Sequence, residues 1–342
     1  MSTLDTFSHC VAIRLGHMGD VALTTGVLTH WHNTRGTTFT IVTKAGNAPL
    51  FDNHPAVSEV IGLSDAELKN KAWYVKAGKL ADTYSNHALL DLHGSLRSRI
   101  LALRWKGPVR RYPKFGLTRR LYDRTRWNLF RAKLEATTVP QRYAQALDDS
   151  PPPADELVPQ IYLNSKEKTA AAAQLASIAT AHPRVALHPY ATHQAKEWPK
   201  EHWHELIELL DETGIGWFVI GRSKIPLNGL DQRDLTNATN LRETCALLDG
   251  ADLLITGDSG PMHLACGVGT PVAALFGPTV KSWGFYPAGP KDQVIDQQLA
   301  CRPCSLHGAK ACDKGFECMT SITPEKMMRV ATGILVSEMG LV

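Results

Sequence analysis

The sequence predicts an α/β protein built as two units, each a mostly parallel sheet wound with helices, and three observations lead there. Short apolar runs alternate with helical stretches on both sides of residue 150. A proline-rich acidic segment, 148–159, breaks that alternation and reads as a stiff linker. At 342 residues, 44% of them hydrophobic, the chain is long enough to bury two cores.

In the first half the strand candidates are 11–15, 39–43, 59–63 and 87–92, with helices opening at Val21 and near Ser95. In the second half they are 184–188, 217–220, 253–256 and 272–276, separated by helices such as 201–212 and 241–248. Both halves repeat one strand–turn–helix grammar, which suggests two Rossmann-like domains whose parallel sheets face a cleft. The expected boundaries are 1–150 for the first domain, 151–160 for the linker and 161–323 for the second domain. That second domain carries a cysteine-rich segment at 301–318, and 324–342 forms a C-terminal helix.

Composition narrows the function classes. No apolar stretch approaches the ~20 residues that a membrane span needs, and residues 1–9 lack the charged-then-apolar pattern of a secretory signal, so a cytoplasmic protein is expected. The net charge of +4 hides an asymmetry. Residues 1–150 hold 21 Lys and Arg against 12 Asp and Glu, and between Arg97 and Lys133 ten Arg and three Lys meet one acid, Asp123. Such a patch suits an anionic partner: a phosphorylated glycolipid, an acidic membrane surface or a nucleic acid. A solvated helix face is the plainer reading, but arginine outnumbers lysine, and arginine is the better bidentate phosphate ligand.

Three stretches can carry chemistry. In "RLGHMGDVALTT" a buried strand runs into a glycine-containing turn. Gly16, Gly19 and Gly26 do not have the spacing of a dinucleotide fingerprint. The turn still brings backbone close to a ligand and sets Asp20 beside a helix start, as a helix cap or as a general base for a substrate hydroxyl. In "LITGDSGPMHLACGVGTPVAALFGPT" an apolar strand meets Asp258, Ser259, Gly260 and Pro261, and the helix that follows offers free amides to phosphate, with His263 one turn in. In "VALHPYATHQAKEWPKEHWHEL" a strand ends at His188 and a polar loop carries Lys196, either a solvated lysine or a cation for a departing diphosphate. Near the C-terminus, Cys301, Cys304, Cys312 and Cys318 form a C-x-x-C knuckle followed by two more thiols. This set could form a tetrahedral structural zinc or iron site without a catalytic role, or remain as buried thiols in a reducing compartment.

These stretches, in this order and together with "LLDLHGSLRSRIL", resemble glycosyltransferase family 9, the heptosyltransferases of lipopolysaccharide core synthesis, over most of the chain. The resemblance implies a GT-B fold, with acceptor bound on the first domain and nucleotide sugar on the second. It also implies inverting, metal-independent sugar transfer, of heptose from ADP-heptose to a phosphorylated glycolipid at the cytoplasmic face of the inner membrane. Carried over, Asp20 is the base, and Thr192, Lys196, Asp258, Ser259, Gly260 and His263 serve the donor. Gly19, Arg97 and Arg99 fall on the acceptor side. The resemblance also suggests that the C-terminal helix packs back on the first domain, and that the cysteine segment is akin to the iron-bound finger of protein-modifying heptosyltransferases. Another nucleotide sugar, a protein acceptor or a GT-B-like nucleotide-sugar epimerase stay open as alternatives. A nucleic-acid-binding module is disfavoured, because the basic segment and the cysteines lie far apart and no nucleic-acid motif accompanies them.

Overall fold

The computed structural model describes residues 8–229 and 231–338. The chain divides into two compact units. One runs to Phe115 and resumes over Thr137–Tyr162; the other takes Gly116–Ala136 and the chain from Leu163 onward.

The first unit holds a five-stranded, wholly parallel sheet in the order β3-β2-β1-β4-β5, made by β1 (His9–Ile13), β2 (Thr38–Lys44), β3 (Val57–Leu63), β4 (Ala88–Asp91) and β5 (Val109–Arg111). Val11, Ile13, Leu89 and Leu90 are fully buried, as strands covered on both faces require. The helices α1 (Met18–Arg35), α2 (Asn70–Thr83) and α3 (Leu96–Arg104) belong to this unit. The next two, α4 (Gly116–Thr125) and α5 (Asn128–Glu135), belong to the second unit, and α6 (Val139–Ala144) returns to the first. Strand β5 has only three residues, two of them arginine, which is why no apolar run announced it.

The boundaries therefore differ from the expected 1–150, and side-chain partners explain why. Tyr122 of α4 meets Trp283 edge-on at 5.8 Å, Ser282 donates to Glu135 at 2.6 Å, and Arg126 reaches the Pro303 carbonyl. The expected linker 151–160 lies inside the first unit, laid along α1. There the Gln160 amide donates to Thr25 Oγ1 at 2.8 Å. Gly26 makes room for it, since a Cβ at that position would stand 2.1 Å from the Val158 carbonyl oxygen.

The second unit is also a parallel five-stranded sheet, in the order β10-β9-β8-β6-β7, from β6 (Arg184–His188), β7 (Gly216–Val219), β8 (Leu253–Gly257), β9 (Val272–Phe276) and β10 (Gln293–Asp296). Its helices are α7 (Ser165–Ile178), α8 (Lys200–Glu212), α9 (Leu241–Asp249), α10 (Gly260–Val268), α11 (Glu317–Thr320) and α12 (Pro324–Glu338). The C-terminal helix packs within the second unit. Its Met327, Ala331, Ile334 and Leu335 are buried with Trp203, Leu206 and Leu210 of α8 in the core of the second unit. An apolar stripe at i, i+4, i+7 and i+8 is satisfied by the nearest apolar helix face.

In each sheet the winding reverses once: between β1 and β4 in the first, and between β6 and β8 in the second. The crevice outside the carboxyl ends of strands at such a switch point is where open α/β sheets bind ligands.

Candidate active site

In the first unit the chain leaves β1 at Arg14, which is 7% exposed. A guanidinium cannot be left unpaired in such a place, and this one is held on several sides. Its Nη1 donates to the Leu92 carbonyl at 2.7 Å, its Nη2 pairs with Asp20 Oδ1 at 2.8 Å, and its Cζ lies 5.2 Å from the centre of the Tyr143 ring. Burial opposes its charge, but Tyr143 and Asp20 outweigh burial and raise its pKa.

Asp20 is the third residue of α1, in its first turn, while His17 occupies the cap position. The carboxylate is therefore not the helix cap that was one of its two readings; it turns to Arg14 instead. Oδ2 accepts no hydrogen bond from any described residue, and the side chain is 22% exposed. Gly16 clears the space: a Cβ there would lie 3.1 Å from both Arg14 Nη2 and Asp20 Oδ2. Gly19, next to Asp20, is buried within the same turn.

Across the switch point, Asp91 closes β4 and accepts from the backbone amides of His93 and Gly94 at 3.0 and 2.8 Å. This fixes the loop that carries His93. Burial first, then the neighbouring Arg14 and Lys114, push the His93 pKa down to about 3, so the ring is neutral at ordinary pH. The charge of Arg97 acts on the same ring; Arg97 and Arg99 are both exposed and, two residues apart, lie on opposite sides of α3. Arg97 Nε donates to the Leu68 carbonyl at 2.9 Å, and the ring on which its charge acts, His93, also feels the charge of Asp20.

The second unit gathers its polar residues at the other switch point. Lys196, on a single 3-10 turn, donates through Nζ to Asp258 Oδ2 at 2.5 Å and to the Asp258 carbonyl at 3.3 Å, and Thr279 donates to the same Oδ2 at 2.7 Å. Both charged side chains are mostly buried, at 16% and 14% exposure. Behind them His188 ends β6, with Nδ1 at 3.0 Å from Thr256 Oγ1 and 3.2 Å from Ser259 Oγ. Burial lowers its pKa to about 4. Ser259 caps α10 in extended geometry, Gly260 begins the helix, Pro261 sits in its first turn, and His263 is buried on it. Thr192 lies exposed on the loop before Lys196. Lys196 thus meets Asp258 immediately before Ser259 and Gly260 at the start of α10.

The four cysteines of the C-terminal segment lie close enough to act on one another. Cys301, Cys304 and Cys312 are half-buried, Cys318 is buried, and none is bridged. Burial, then the neighbouring Cys301 thiol, raise the pKa of Cys304, and burial, then Cys304, push that of Cys318 to about 11. The thiols feel one another, yet among the described residues no three His, Cys, Asp or Glu are arranged to hold a metal.

The sequence profile of glycosyltransferase family 9 (heptosyltransferase) matches residues 82–312. The chain belongs to glycosyltransferase family 9. Lipopolysaccharide heptosyltransferase 2 of Escherichia coli (strain K12) is 26% identical over 249 residues, 68% of this chain and 69% of that protein. The solved structure of E. coli ADP-heptose lps heptosyltransferase II superposes with a TM-score of 0.72 at 22% identity, covering 96% of this chain and 99% of that one. A family 9 glycosyl transferase from Veillonella parvula DSM 2008 superposes with a TM-score of 0.75 at 17% identity, covering 98% of this chain and all of that one. The fold is GT-B, and this family 9 chain is a glycosyltransferase.

Several residues of the site escape a reading of motifs in isolation. Arg14 and His188 each end an otherwise apolar run, and a charged or polar residue closing a buried strand was the available signal. His93 stood within the "DLHG" stretch with nothing to distinguish it from a loop histidine. Tyr143 comes from a separate helix and left no local trace.

Proposed function

We propose that this family 9 enzyme transfers heptose from ADP-heptose to a phosphorylated glycolipid of the lipopolysaccharide core, with inversion at the anomeric carbon, at the cytoplasmic face of the inner membrane. The observation that carries the mechanism is the Arg14–Asp20 pair, in which a carboxylate is gripped through Oδ1 and keeps Oδ2 open. As the acceptor oxygen bonds to the anomeric carbon, its proton passes to Asp20 Oδ2, and the bond from that carbon to the diphosphate oxygen breaks. The departing diphosphate gathers negative charge, and in the second unit Lys196 and the free amides at the start of α10 offset it. Asp258 and Thr279 orient the lysine, and the buried His188–Thr256 pair holds the Ser259 hydroxyl. Arg97, whose charge reaches His93 as that of Asp20 does, supplies charge to an anionic acceptor. The positive charge needed at the leaving group comes from the protein, so turnover should persist in the presence of a chelator.

The deciding experiment pairs calorimetric titration with ADP, UDP and GDP with a transfer assay using ADP-heptose and a deacylated core acceptor. Selective ADP binding with heptosylated product supports the reading. A preference for UDP or GDP, or consumption of donor without acceptor, would overturn the choice of donor or the transfer itself.

A further inference from the structure

The α4–α5 hairpin, Gly116–Ala136, plays no part in either cluster described above, yet it is the most basic part of the second unit, with six Lys or Arg and two acids. One side is anchored: Tyr122 and Leu134 are buried, and the contacts to Trp283, Ser282 and Pro303 hold the hairpin in place. The other side is bare. Leu117, Trp127 and Leu129 are 70%, 64% and 75% exposed, and Trp127 stacks flat on Phe130, with ring planes 4° apart. A single exposed leucine means little, but two leucines and a tryptophan on one short hairpin form an apolar surface that water does not favour.

Charge says what covers it. Both acids of the hairpin are already neutralised, Asp123 by Arg126 at 3.4 Å and Glu135 by Arg131 at 2.9 Å. Arg120 and Arg124 are exposed and make no ion pair among the described residues. They follow Leu117 at i+3 and i+7, on one face of α4, so apolar and cationic groups share a surface. Leucine and tryptophan bounded by arginine, at low overall hydrophobicity, is the composition of a helix that lies in the interface of an anionic bilayer.

We infer that the α4–α5 hairpin is a membrane-docking element: Leu117, Trp127 and Leu129 enter the headgroup–acyl boundary while Arg120 and Arg124 pair with anionic phospholipid phosphates. The inference rests on the proposed membrane-embedded acceptor, for which it supplies a docking surface. In flotation with vesicles of phosphatidylethanolamine and phosphatidylglycerol the protein should bind, it should fail to bind pure phosphatidylcholine, and added salt should weaken binding. Arg120→Gln with Arg124→Gln should weaken it about thirtyfold, and Trp127→Ala with Leu129→Ser by at least as much. Lipids brominated in the acyl chain should quench fluorescence in the wild type, and Trp127→Phe, which keeps an apolar ring, should still bind but lose that quenching. All these variants should retain ADP affinity and turnover of the deacylated acceptor. Vesicle binding that is unchanged in both double variants overturns the inference, as does a dimer that the Trp127→Ala, Leu129→Ser variant abolishes in a protein that never floats. Wild-type turnover of the soluble acceptor without vesicle binding would overturn this surface and leave the proposed reaction standing; vesicle binding without any turnover would do the reverse.

Discussion

A carboxylate serves as a base only if something else holds it in place. Asp20 is held by Arg14, and Arg14 in turn by the Leu92 carbonyl and the Tyr143 ring. Asp20→Asn keeps the shape and removes the basicity, so transfer should fall about 10³-fold while ADP affinity stays within about twofold. Arg14→Met should lower kcat more than it changes the acceptor KM. Because the Arg14 charge helps to hold the His93 pKa down, the same substitution should move the His93 titration upward in an NMR experiment; an unmoved His93 would separate the two residues. In the second unit, Lys196→Ala removes a charged donor and should raise the ADP Kd about tenfold or more by calorimetry.

Elements here are positioned by close approaches as much as by apolar faces. Helix α1 carries Asp20 at one end and, two turns on, Gly26 against the 157–158 backbone. A methyl group at Gly26 meets the Val158 carbonyl oxygen at 2.1 Å, a contact that only backbone movement relieves. Gly26→Ala should cost about 3 kcal/mol in urea unfolding and should also reduce activity, because the helix carrying Asp20 must shift. Strand ends supply the polar site residues in both units: Arg14 after β1, His93 after β4, His188 at the end of β6 and Asp258 after β8. This recurrence explains how much of the site was legible in the sequence. Apolar runs marked the strands, and the residues just beyond them became candidates. What stayed hidden were partners from other elements, such as Tyr143 and Thr279, since periodicity reports the face a residue is on and not what it meets.

Across the molecule, the buried His54 and His188 and the half-buried His93 link stability to pH. Burial first lowers the pKa of His54 and His188 to about 4 each, and that of His93 to about 3. The His54 ring shows the reason: Nε2 bonds the Thr25 carbonyl at 3.1 Å and Nδ1 accepts from the Ala56 amide at 3.2 Å, so a second ring proton would break the latter bond. In the unfolded chain these rings take up protons near pH 6.5. Between about pH 6.5 and 4 the unfolded state therefore binds more protons than the folded one, and stability is complete above that window and falls as pH drops through it. Thermal melts from pH 7.5 to 4.5 should show a progressive loss, and His54→Gln should flatten part of the slope.

The sequence by itself determined the α/β class, the two parallel sheets, the turns at Asp20 and Asp258 and the family, because apolar runs, caps and glycine turns are local signals. The tertiary structure decided the rest: that α4 and α5 join the second unit, that α12 closes the core of that same unit, and that Arg14, against the Tyr143 ring, pairs with Asp20. Each of these depends on which side chains meet across long stretches of chain. Burial and hydrogen bonding decide such meetings only once the whole chain has packed.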